Sequence, residues 1–203
     1  MLFYNSPNPA PNPRRVRIFA AEKGIALDMR EVSIVKREQK SPAYIALNAR
    51  GQTPSLQLDD GTVLTESVAI CRYLEALHPA PPLFGTSALE IAQIEMWSRR
   101  VEMILMPPVG AVWVHTHAFT AALPGRNVEW GEANRPRVEA AFRFFDQSLA
   151  DREFVAGDVY TMADIVLLTT FDFAVFVGCG APADCAALTA WHYRVSARPS
   201  AAA

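Results

Sequence analysis

The chain has 203 residues, of which 51% are hydrophobic and 20% are charged. This length and apolar content suit one large domain or two small ones, and they exclude a disordered chain of low hydrophobicity. The 19 Lys and Arg residues against 21 Asp and Glu leave a net charge of −2. A dedicated nucleic-acid binder usually carries a basic excess, so we expect no nucleic-acid partner.

The three cysteines indicate a reducing compartment and no metal site. Cys71, Cys179 and Cys185 form no Cys-x-x-Cys pair and have no histidine at ligand spacing, which argues against a disulfide scaffold or a zinc site. The N-terminus lacks the basic-then-apolar order of a signal peptide, and the most apolar stretch, residues 165–177, is too short to span a bilayer. We therefore expect a cytoplasmic protein with no membrane partner.

Strands and helices alternate at the start of the chain. A short apolar run at residues 1–5 predicts a strand. Apolar residues at helical spacing then predict an amphipathic helix that ends at Gly24. Alternating apolar residues at 27–34 predict a half-buried strand, and residues 42–47 predict a short helix.

A hairpin and a helix complete the first domain. Residues 55–58 and 62–65 flank an Asp-Gly turn, which predicts two antiparallel strands, and a helix follows from Glu66. A strand–helix–strand unit places its two strands in parallel, and the hairpin then adds antiparallel strands to the same sheet. This βαβ-ββα order predicts a thioredoxin-like domain over residues 1–78, in an α/β plus all-α protein.

The second half of the chain has helical periodicity throughout. A proline-rich stretch predicts a stiff linker at residues 79–87, followed by an all-helical bundle domain over residues 88–203. Pro107-Pro108 is predicted to end the first of its helices. We predict helices over residues 88–106, 135–150, 163–177 and 188–197.

One carboxylate of the second domain is predicted to be structural. Thr161-Met162-Ala163-Asp164 matches the Ser/Thr-x-x-Asp pattern of a helix cap before an apolar run. Asp164 would accept a hydrogen bond from the backbone N–H of the capping residue. A catalytic role would require a second titratable partner, and none lies nearby in the sequence.

The start of the first helix predicts a site for an anion. Asn12 is a preferred N-cap and Pro13 suits the first helical position. The free N–H groups and the dipole of a helix N-terminus stabilise an anion such as a thiolate. No cysteine lies nearby, so a thiol would have to come from a ligand. The alternative is a plain capped helix.

Two further segments predict contacts to a peptide. Thr53-Pro54 lies at the start of a predicted strand. A cis bond here would present the Thr53 backbone to an extended peptide. The alternative is an ordinary trans proline at the start of the strand. Ser67 begins a helix, where its hydroxyl and N–H suit a ligand carboxylate, and Glu66 suits an amino group. The alternative is that both merely complement the helix dipole.

These three elements together match γ-glutamyl-cysteinyl-glycine, and the sequence resembles the cytosolic glutathione transferases over nearly its whole length. Gln52-Thr53-Pro54 and Glu66-Ser67 are the most specific segments. The other matching segments are Arg15-Val16-Arg17-Ile18, Ala21-Glu22-Lys23-Gly24, Leu47-Asn48-Ala49-Arg50-Gly51, Leu64-Thr65, Val68-Ala69-Ile70, Arg72-Tyr73-Leu74, Gly157-Asp158, Thr161-Met162-Ala163-Asp164-Ile165, Trp191 and Arg198-Pro199-Ser200.

The resemblance implies a set of glutathione contacts. Thr53, which precedes the cis Pro54, would pair with the cysteinyl backbone of glutathione. Glu66 and Ser67 would hold the γ-glutamyl end. The glycine carboxylate would lie against Gln39, with Gln52 as a further contact and Lys40 as a solvated charge. Members of the family commonly form homodimers, and we expect one here.

The position that activates the thiol departs from the family pattern. The usual Tyr, Ser or Cys is replaced by Ala10, and the segment Ala-Pro-Asn-Pro resembles the Thr-Pro-Asn motif of Nu-like bacterial transferases and disulfide reductases. The resemblance implies Asn12 as the catalytic donor to the glutathione sulfur, with Ser6 and Tyr4 as alternatives. A mixed disulfide with the protein is not expected, since Cys71 lies within a helix.

The second substrate is expected between the domains. Pro11, Met106, Trp113 and His115 are the predicted contacts for an apolar electrophile or a disulfide. His115 and His117 are two residues apart and do not share a helix face, so no metal site is expected there. We expect a detoxifying glutathione transferase that attacks an electrophilic carbon or a disulfide. The alternatives are a binding or interaction protein of the same fold and a glutathione-dependent isomerase.

Overall fold

The structure is a computed structural model that describes residues 1–203. It divides into a first unit, Met1–Leu83 with Pro199–Ala203, and a second unit, Phe84–Arg198. The sequence placed the last five residues in the helical domain, whereas the structure groups them with the first unit. The reason is a set of hydrogen bonds: Arg14 Nη2 donates to the Ala201 carbonyl at 2.9 Å, and the Ser200 hydroxyl bonds Glu22.

The first unit contains a four-stranded mixed sheet in the order β2-β1-β3-β4. β1 pairs with β2 in parallel, and β3 pairs antiparallel with both β1 and β4. This is the predicted thioredoxin-like arrangement. The strands are β1 (Leu2–Asn5), β2 (Asp28–Glu31), β3 (Ser55–Gln57) and β4 (Val63–Thr65), and the helices are α1 (Pro11–Glu22), α2 (Pro42–Leu47) and α3 (Ser67–Leu77).

The register of three strands places three chain segments at one end of the sheet. Tyr4 of β1 pairs with Ser55 of β3, and Ser55 pairs with Thr65 of β4. The residues after β1, those before β3 and those after β4 therefore leave the sheet side by side. These segments include the start of α1, Thr53 and the start of α3.

Strand β2 is shorter and more exposed than predicted. The sequence pattern predicted a half-buried strand over residues 27–34, but β2 spans Asp28–Glu31 and all four residues are exposed. The strand lies at the edge of the sheet, where it has a neighbour on one side only. Val32, which follows it, is the first buried residue of this segment.

The second unit is helical, as predicted. Its helices are α4 (Ala88–Arg100), α5 (Met106–Thr116), α6 (Val128–Leu149), α7 (Met162–Phe176) and α8 (Ala186–Ser196). The first ten residues of α7, Met162 to Phe171, are all buried, so this helix forms the centre of the unit. No helix of the protein combines the length and apolarity needed to cross a lipid bilayer.

Pro107-Pro108 does not end a helix, in contrast to the prediction. A π-helical segment, Val101–Leu105, follows α4, and the two prolines then occupy the first turn of α5. Prolines are tolerated in a first turn because the N–H groups there need no intrahelical acceptor. The wider π turn joins the two helices at the point where the proline N–H groups are missing.

Helix α6 begins earlier than predicted. It starts at Val128 rather than at residue 135, and the Asn127 side chain caps it by accepting from the N–H of Trp130 at 2.9 Å. Pro136 lies inside this helix at an exposed position. The prediction began too late because it followed the apolar residues at helical spacing, which start at Val138, whereas the asparagine cap lies farther upstream.

Asp164 caps α7 from a fully buried position, as the sequence predicted. Its carboxylate accepts from the backbone N–H groups of Val155 and Thr161 and from the indole Nε1–H of Trp191, all at 2.9 Å. Burial raises the pKa of this carboxyl, and the hydrogen bonds from its donors partly offset that rise. The carboxylate therefore connects the start of α7 to α8 and to the preceding loop.

We expect Asp164→Ala to lower the free energy of unfolding by about 3 kcal/mol or more, because three buried N–H donors lose their acceptor. Urea denaturation followed by circular dichroism measures this change. The matched control is Asp151→Ala, since Asp151 is exposed in the turn after α6; its effect should stay within about 0.5 kcal/mol. A loss at Asp164 no larger than that of the control would contradict the structural role.

Candidate functional site

The first turn of α1 offers one backbone N–H and one free amide. The helix begins at Pro11, with Ala10 at the cap position, so Asn12 is not the N-cap that the sequence predicted. Pro11 takes the first helical position because its fixed φ suits it and its missing N–H costs nothing there. Since Pro11 and Pro13 lack an N–H, only Asn12 donates from the first three residues. No protein group hydrogen-bonds the half-buried Asn12 side chain.

Arg17 holds the loop that leads into α1. Its guanidinium donates to Asn5 Oδ1 at 2.5 Å, to the Ser6 carbonyl at 3.1 Å and to Asn8 Oδ1 at 2.6 Å. Burial, with a smaller contribution from the neighbouring Arg14, lowers the pKa of Arg17 from its ordinary value. An arginine with three acceptors fixes the loop and hence the position where α1 begins.

The two hydroxyl groups predicted as alternative hydrogen-bond donors to a ligand sulfur already bond other groups of the first unit. The Ser6 hydroxyl is fully buried and bonds the Val32 carbonyl and the Thr53 hydroxyl, both at 2.9 Å. Tyr4 is 8% exposed, and its hydroxyl donates to Gln57 Oε1 at 3.1 Å. Neither hydroxyl is presented to a ligand at the start of α1, whereas the Asn12 side chain has no hydrogen bond within the protein.

Thr53 presents an unpaired stretch of backbone. The Thr53-Pro54 bond is cis, as predicted. Strand β3 begins two residues later at Ser55, so the N–H and C=O of Thr53 have no partner in the sheet. The bond between the Thr53 and Ser6 hydroxyls fixes the residue beside the loop before α1. A peptide backbone can pair with such a segment as a further strand does.

Side chains of α2 and of the residue after it hydrogen-bond the Gln52 backbone. Its carbonyl accepts from the Tyr44 hydroxyl at 2.9 Å and from Asn48 Nδ2 at 2.8 Å. Burial raises the pKa of Tyr44, so this hydroxyl remains a donor. The Gln52 side chain is exposed, and its Oε1 accepts from Arg50 Nε at 3.0 Å. Its amide nitrogen remains available to a ligand.

Gln39 carries a buried acceptor without a partner. Its Oε1 atom is buried and makes no hydrogen bond within the protein. The residue packs against Gly51, where an added Cβ would lie 2.7 Å from the Gln39 carbonyl oxygen and where φ is +56°. Only glycine satisfies both conditions. The exposed Lys40 is not solely solvated, since its Nζ donates to the Arg50 carbonyl at 3.1 Å.

Glu66 and Ser67 mark the start of α3. Glu66 is exposed and has φ of +67°, a conformation that a non-glycine residue adopts only at a cost. Ser67 is the buried first helical residue, and its hydroxyl accepts from Arg15 Nη1 at 3.4 Å. Strain of this kind points to a functional position, because the surrounding structure must maintain it.

Arg15 is buried inside the first unit, although the sequence pattern predicted no role for it beyond its place in a matching motif. The structure buries it to 2% exposure on the inner face of α1 and directs one guanidinium nitrogen at Ser67. A signal was present, because Arg15 occupies the same helical face as the buried Ile18 and Phe19. Arg15 thus positions the first residue of α3 from inside the unit.

No cysteine of the chain supplies a thiolate. All three cysteines are buried. Burial raises the pKa of the fully buried Cys71 thiol far above its ordinary value, which excludes it as a nucleophile. A reactive thiolate at this site must therefore belong to a bound molecule.

The second unit carries the other predicted residues. Met106 begins α5, and Trp113 stacks on Phe119 with ring centroids 5.5 Å apart. His115 Nδ1 accepts from the N–H of Asn127 at 3.0 Å, and His117 Nδ1 accepts from the N–H of Phe119 at 3.1 Å. A neutral imidazole that accepts at Nδ1 carries its proton on Nε2, so each histidine has an N–H to donate.

Comparison with known protein families gives two matches. The family model described as glutathione S-transferase, N-terminal domain, matches residues 10–77, and the model described as glutathione S-transferase, C-terminal domain, matches residues 114–199. Together they account for most of the chain.

Individual relatives agree with these matches. Glutathione S-transferase 2 of Saccharomyces cerevisiae is 38% identical over 98% of this chain and 87% of its own length. Human glutathione S-transferase theta-2 is 32% identical over 91% of this chain and 76% of its own length.

Solved structures show the same fold over the whole chain. The crystal structure of Gtt2 from Saccharomyces cerevisiae has a TM-score of 0.93 and 36% identity, covering 98% of both chains. That of a Gtt2-class glutathione S-transferase of Vibrio parahaemolyticus has a TM-score of 0.84 and 30% identity, covering 98% of this chain and 95% of that one. By domain content, sequence and fold, the chain belongs to the glutathione transferase superfamily.

Proposed function

We propose that this protein is a glutathione transferase that activates the glutathione thiol with Asn12. The observation that carries the proposal is the first turn of α1, where a free side-chain amide and the sole backbone N–H belong to the same residue. Ala10 has neither hydroxyl nor thiol, and the Ser6 and Tyr4 hydroxyls are engaged elsewhere. The names of the yeast and human relatives support transferase activity in general.

The donors at Asn12 are strong enough for this role. A free thiol has a pKa near 8.5, and lowering it by two units requires about 2.7 kcal/mol of preferential thiolate stabilisation. A hydrogen bond to a charged group contributes roughly 1.5–3 kcal/mol, and a helix terminus adds roughly 0.3–1 kcal/mol. One or two donations from Asn12 together with the helix end therefore suffice without a hydroxyl group.

The remaining contacts orient the tripeptide. The unpaired Thr53 backbone beside the buried Pro54 is proposed to pair with the cysteinyl residue. Glu66 is proposed to hold the γ-glutamyl ammonium, while the Ser67 hydroxyl and the α3 N-terminus hold its carboxylate. Gln39 and Gln52 are proposed to bind the glycine end through their amide N–H groups.

The acceptor is proposed to be an apolar electrophile or a disulfide, contacted by Pro11, Met106, Trp113 and His115. With an electrophilic carbon, the thiolate sulfur forms the new bond and the leaving group departs with its electron pair. With a disulfide, the thiolate displaces one sulfur as a thiolate, and a second glutathione then releases the other and leaves as glutathione disulfide. The disulfide reaction follows from the resemblance of residues 10–13 to the Nu-like bacterial motif.

We further propose that the protein acts in the cytoplasm as a homodimer with a detoxifying role, and that it needs no metal. The alternative remains a glutathione-fold binding or interaction protein without transferase activity. The ultraviolet absorbance of bound glutathione as a function of pH distinguishes the two. An enzyme should lower the pKa of the bound thiol below about 8.5. A bound thiol with an unchanged pKa, or no binding, would favour the alternative.

We expect Asn12→Ala to raise the pKa of the bound glutathione thiol by at least about one unit and to lower kcat about tenfold at neutral pH, because the thiolate loses a donor. Thiolate absorbance and initial rates with a chloronitrobenzene electrophile measure both. Gln93→Ala is the matched control, since it also removes a side-chain amide, from an exposed position on α4. An unchanged thiol pKa in Asn12→Ala would refute the role of the Asn12 side-chain amide, and the Nε2–H groups of His115 and His117 would be tested next.

We expect Ser67→Ala and Glu66→Gln each to raise the KM for glutathione about tenfold while changing kcat little, because each removes a contact to the nonreacting end of the substrate. Initial rates at varied glutathione concentration give both constants. Glu129→Gln, which removes an exposed carboxylate on α6, is the control. Loss of kcat at constant KM would contradict this assignment.

A further inference from the structure

The first unit contains a cavity that the proposed glutathione site does not use. Its volume is about 340 Å³, and it lies between β2 and α2. This volume falls within the range of small-molecule sites, roughly 300–1,000 Å³. Its principal walls are Tyr4, Arg30, Val32, Ser41, Tyr44 and Leu47. None of the residues proposed to bind glutathione lines it.

The floor of the cavity is apolar and aromatic. Tyr4, Val32 and Tyr44 form a buried cluster against which Leu47 packs. The two tyrosine rings meet edge to face with centroids 5.8 Å apart, and their hydroxyls are engaged with Gln57 and with the Gln52 carbonyl. The rings therefore present carbon surface rather than hydroxyls to an occupant, which suits an apolar side chain.

Arg30 and Glu38, which carry opposite charges, both line the cavity and form no ion pair with each other. The Arg30 guanidinium lies 5.9 Å from the centre of the Tyr4 ring, and it donates no hydrogen bond within the protein. The Glu38 carboxylate is exposed and accepts from the N–H of Ser33 at 2.7 Å. Both residues line the cavity. No ion pair joins them, so each charge is available to a ligand group of the opposite sign.

The other polar groups at the cavity are consistent with such a ligand. The Ser41 hydroxyl accepts from the N–H of Tyr44 at 3.3 Å, which leaves its own proton to donate. The Glu31 carboxylate is already bound by Asn5 Nδ2 at 2.6 Å. One free guanidinium and one hydroxyl donor are therefore available to a ligand carboxylate, and the Glu38 carboxylate is available to a ligand ammonium.

We propose that this cavity binds a small zwitterion, an α-amino acid with an apolar side chain. Its carboxylate binds Arg30 and Ser41, its ammonium binds Glu38, and its side chain lies on the Tyr4, Tyr44 and Leu47 surface. A simple organic anion would face Glu38 unfavourably, and a simple cation would face Arg30 in the same way. The proposal is independent of the glutathione chemistry above.

Binding of L-phenylalanine to the full chain tests the proposal. Isothermal titration calorimetry, with saturation-transfer NMR for weak binding, is carried out up to about 10 mM ligand, the range of weak small-molecule affinities. N-acetyl-L-phenylalanine lacks the ammonium and phenethylamine lacks the carboxylate; both should bind about tenfold more weakly. Saturating S-methylglutathione should leave L-phenylalanine binding in place, because the two sites are distinct.

Variants locate the binding within the chain. Arg30→Gln and Glu38→Gln should each weaken L-phenylalanine binding about tenfold, since each removes one charge partner. Ala43→Leu should abolish it by filling the cavity, which Ala43 lines. Lys36→Gln, which removes a nearby exposed charge outside the cavity, is the control. All four changes are at exposed positions, and thermal melting verifies the fold.

Several results would overturn the proposal. Absence of binding up to the highest concentration, equal binding of the three probes, or displacement by S-methylglutathione would each do so. Unchanged binding in Arg30→Gln together with Glu38→Gln would also overturn it, and both substitutions are at exposed positions where folding is maintained.

Discussion

The pairing register at one end of the four-stranded sheet is the constraint on which the candidate site depends. Tyr4, Ser55 and Thr65 lie side by side across β1, β3 and β4. Backbone hydrogen bonds hold this register, and a slip of one residue would turn each strand's buried face outward. The loop into α1, the Thr53 backbone and the first turn of α3 consequently emerge together. The three segments proposed to bind the tripeptide are neighbours because the sheet aligns them.

Buried charged and polar groups hold these segments in place. Arg15 contacts Ser67 from inside the first unit, Arg17 ties together the loop before α1, and the Ser6 hydroxyl bonds that of Thr53. Asp164 plays the same part in the second unit, where it connects α7 with α8. A buried polar group is stable only when its hydrogen bonds are satisfied, so each of these residues specifies one local arrangement.

The candidate site lacks both a reactive cysteine and a hydroxyl or thiol at the residue before α1. The protein's own thiols are buried, and the residue before α1 is an alanine without a hydroxyl or thiol, so the proposed reaction needs a nucleophile and an activating group from other sources. A ligand thiol is one solution, and an asparagine at a helix start is a donor of sufficient strength. The two prolines around Asn12 reinforce this, because they leave it as the sole N–H donor of the first turn.

The sequence by itself determined the fold class, the order of elements and the cap at Asp164. It also located the start of a strand after Thr53-Pro54 and the start of a helix at Glu66-Ser67. These features are predictable because hydrophobic period, turn residues and capping patterns are local signals. The sequence assigned Asn12 to the N-cap, two positions before its observed place as the second residue of α1. It also took Pro107-Pro108 as a helix end, since proline suits a first turn as well as it stops a helix. The burial of Arg15, the pairing of Ser6 with Thr53, the unpartnered Gln39 oxygen and the cavity beneath Arg30 were decided only by the tertiary structure. Each of these features depends on residues far apart in the chain being brought together by strand register and helix packing, which no local pattern encodes.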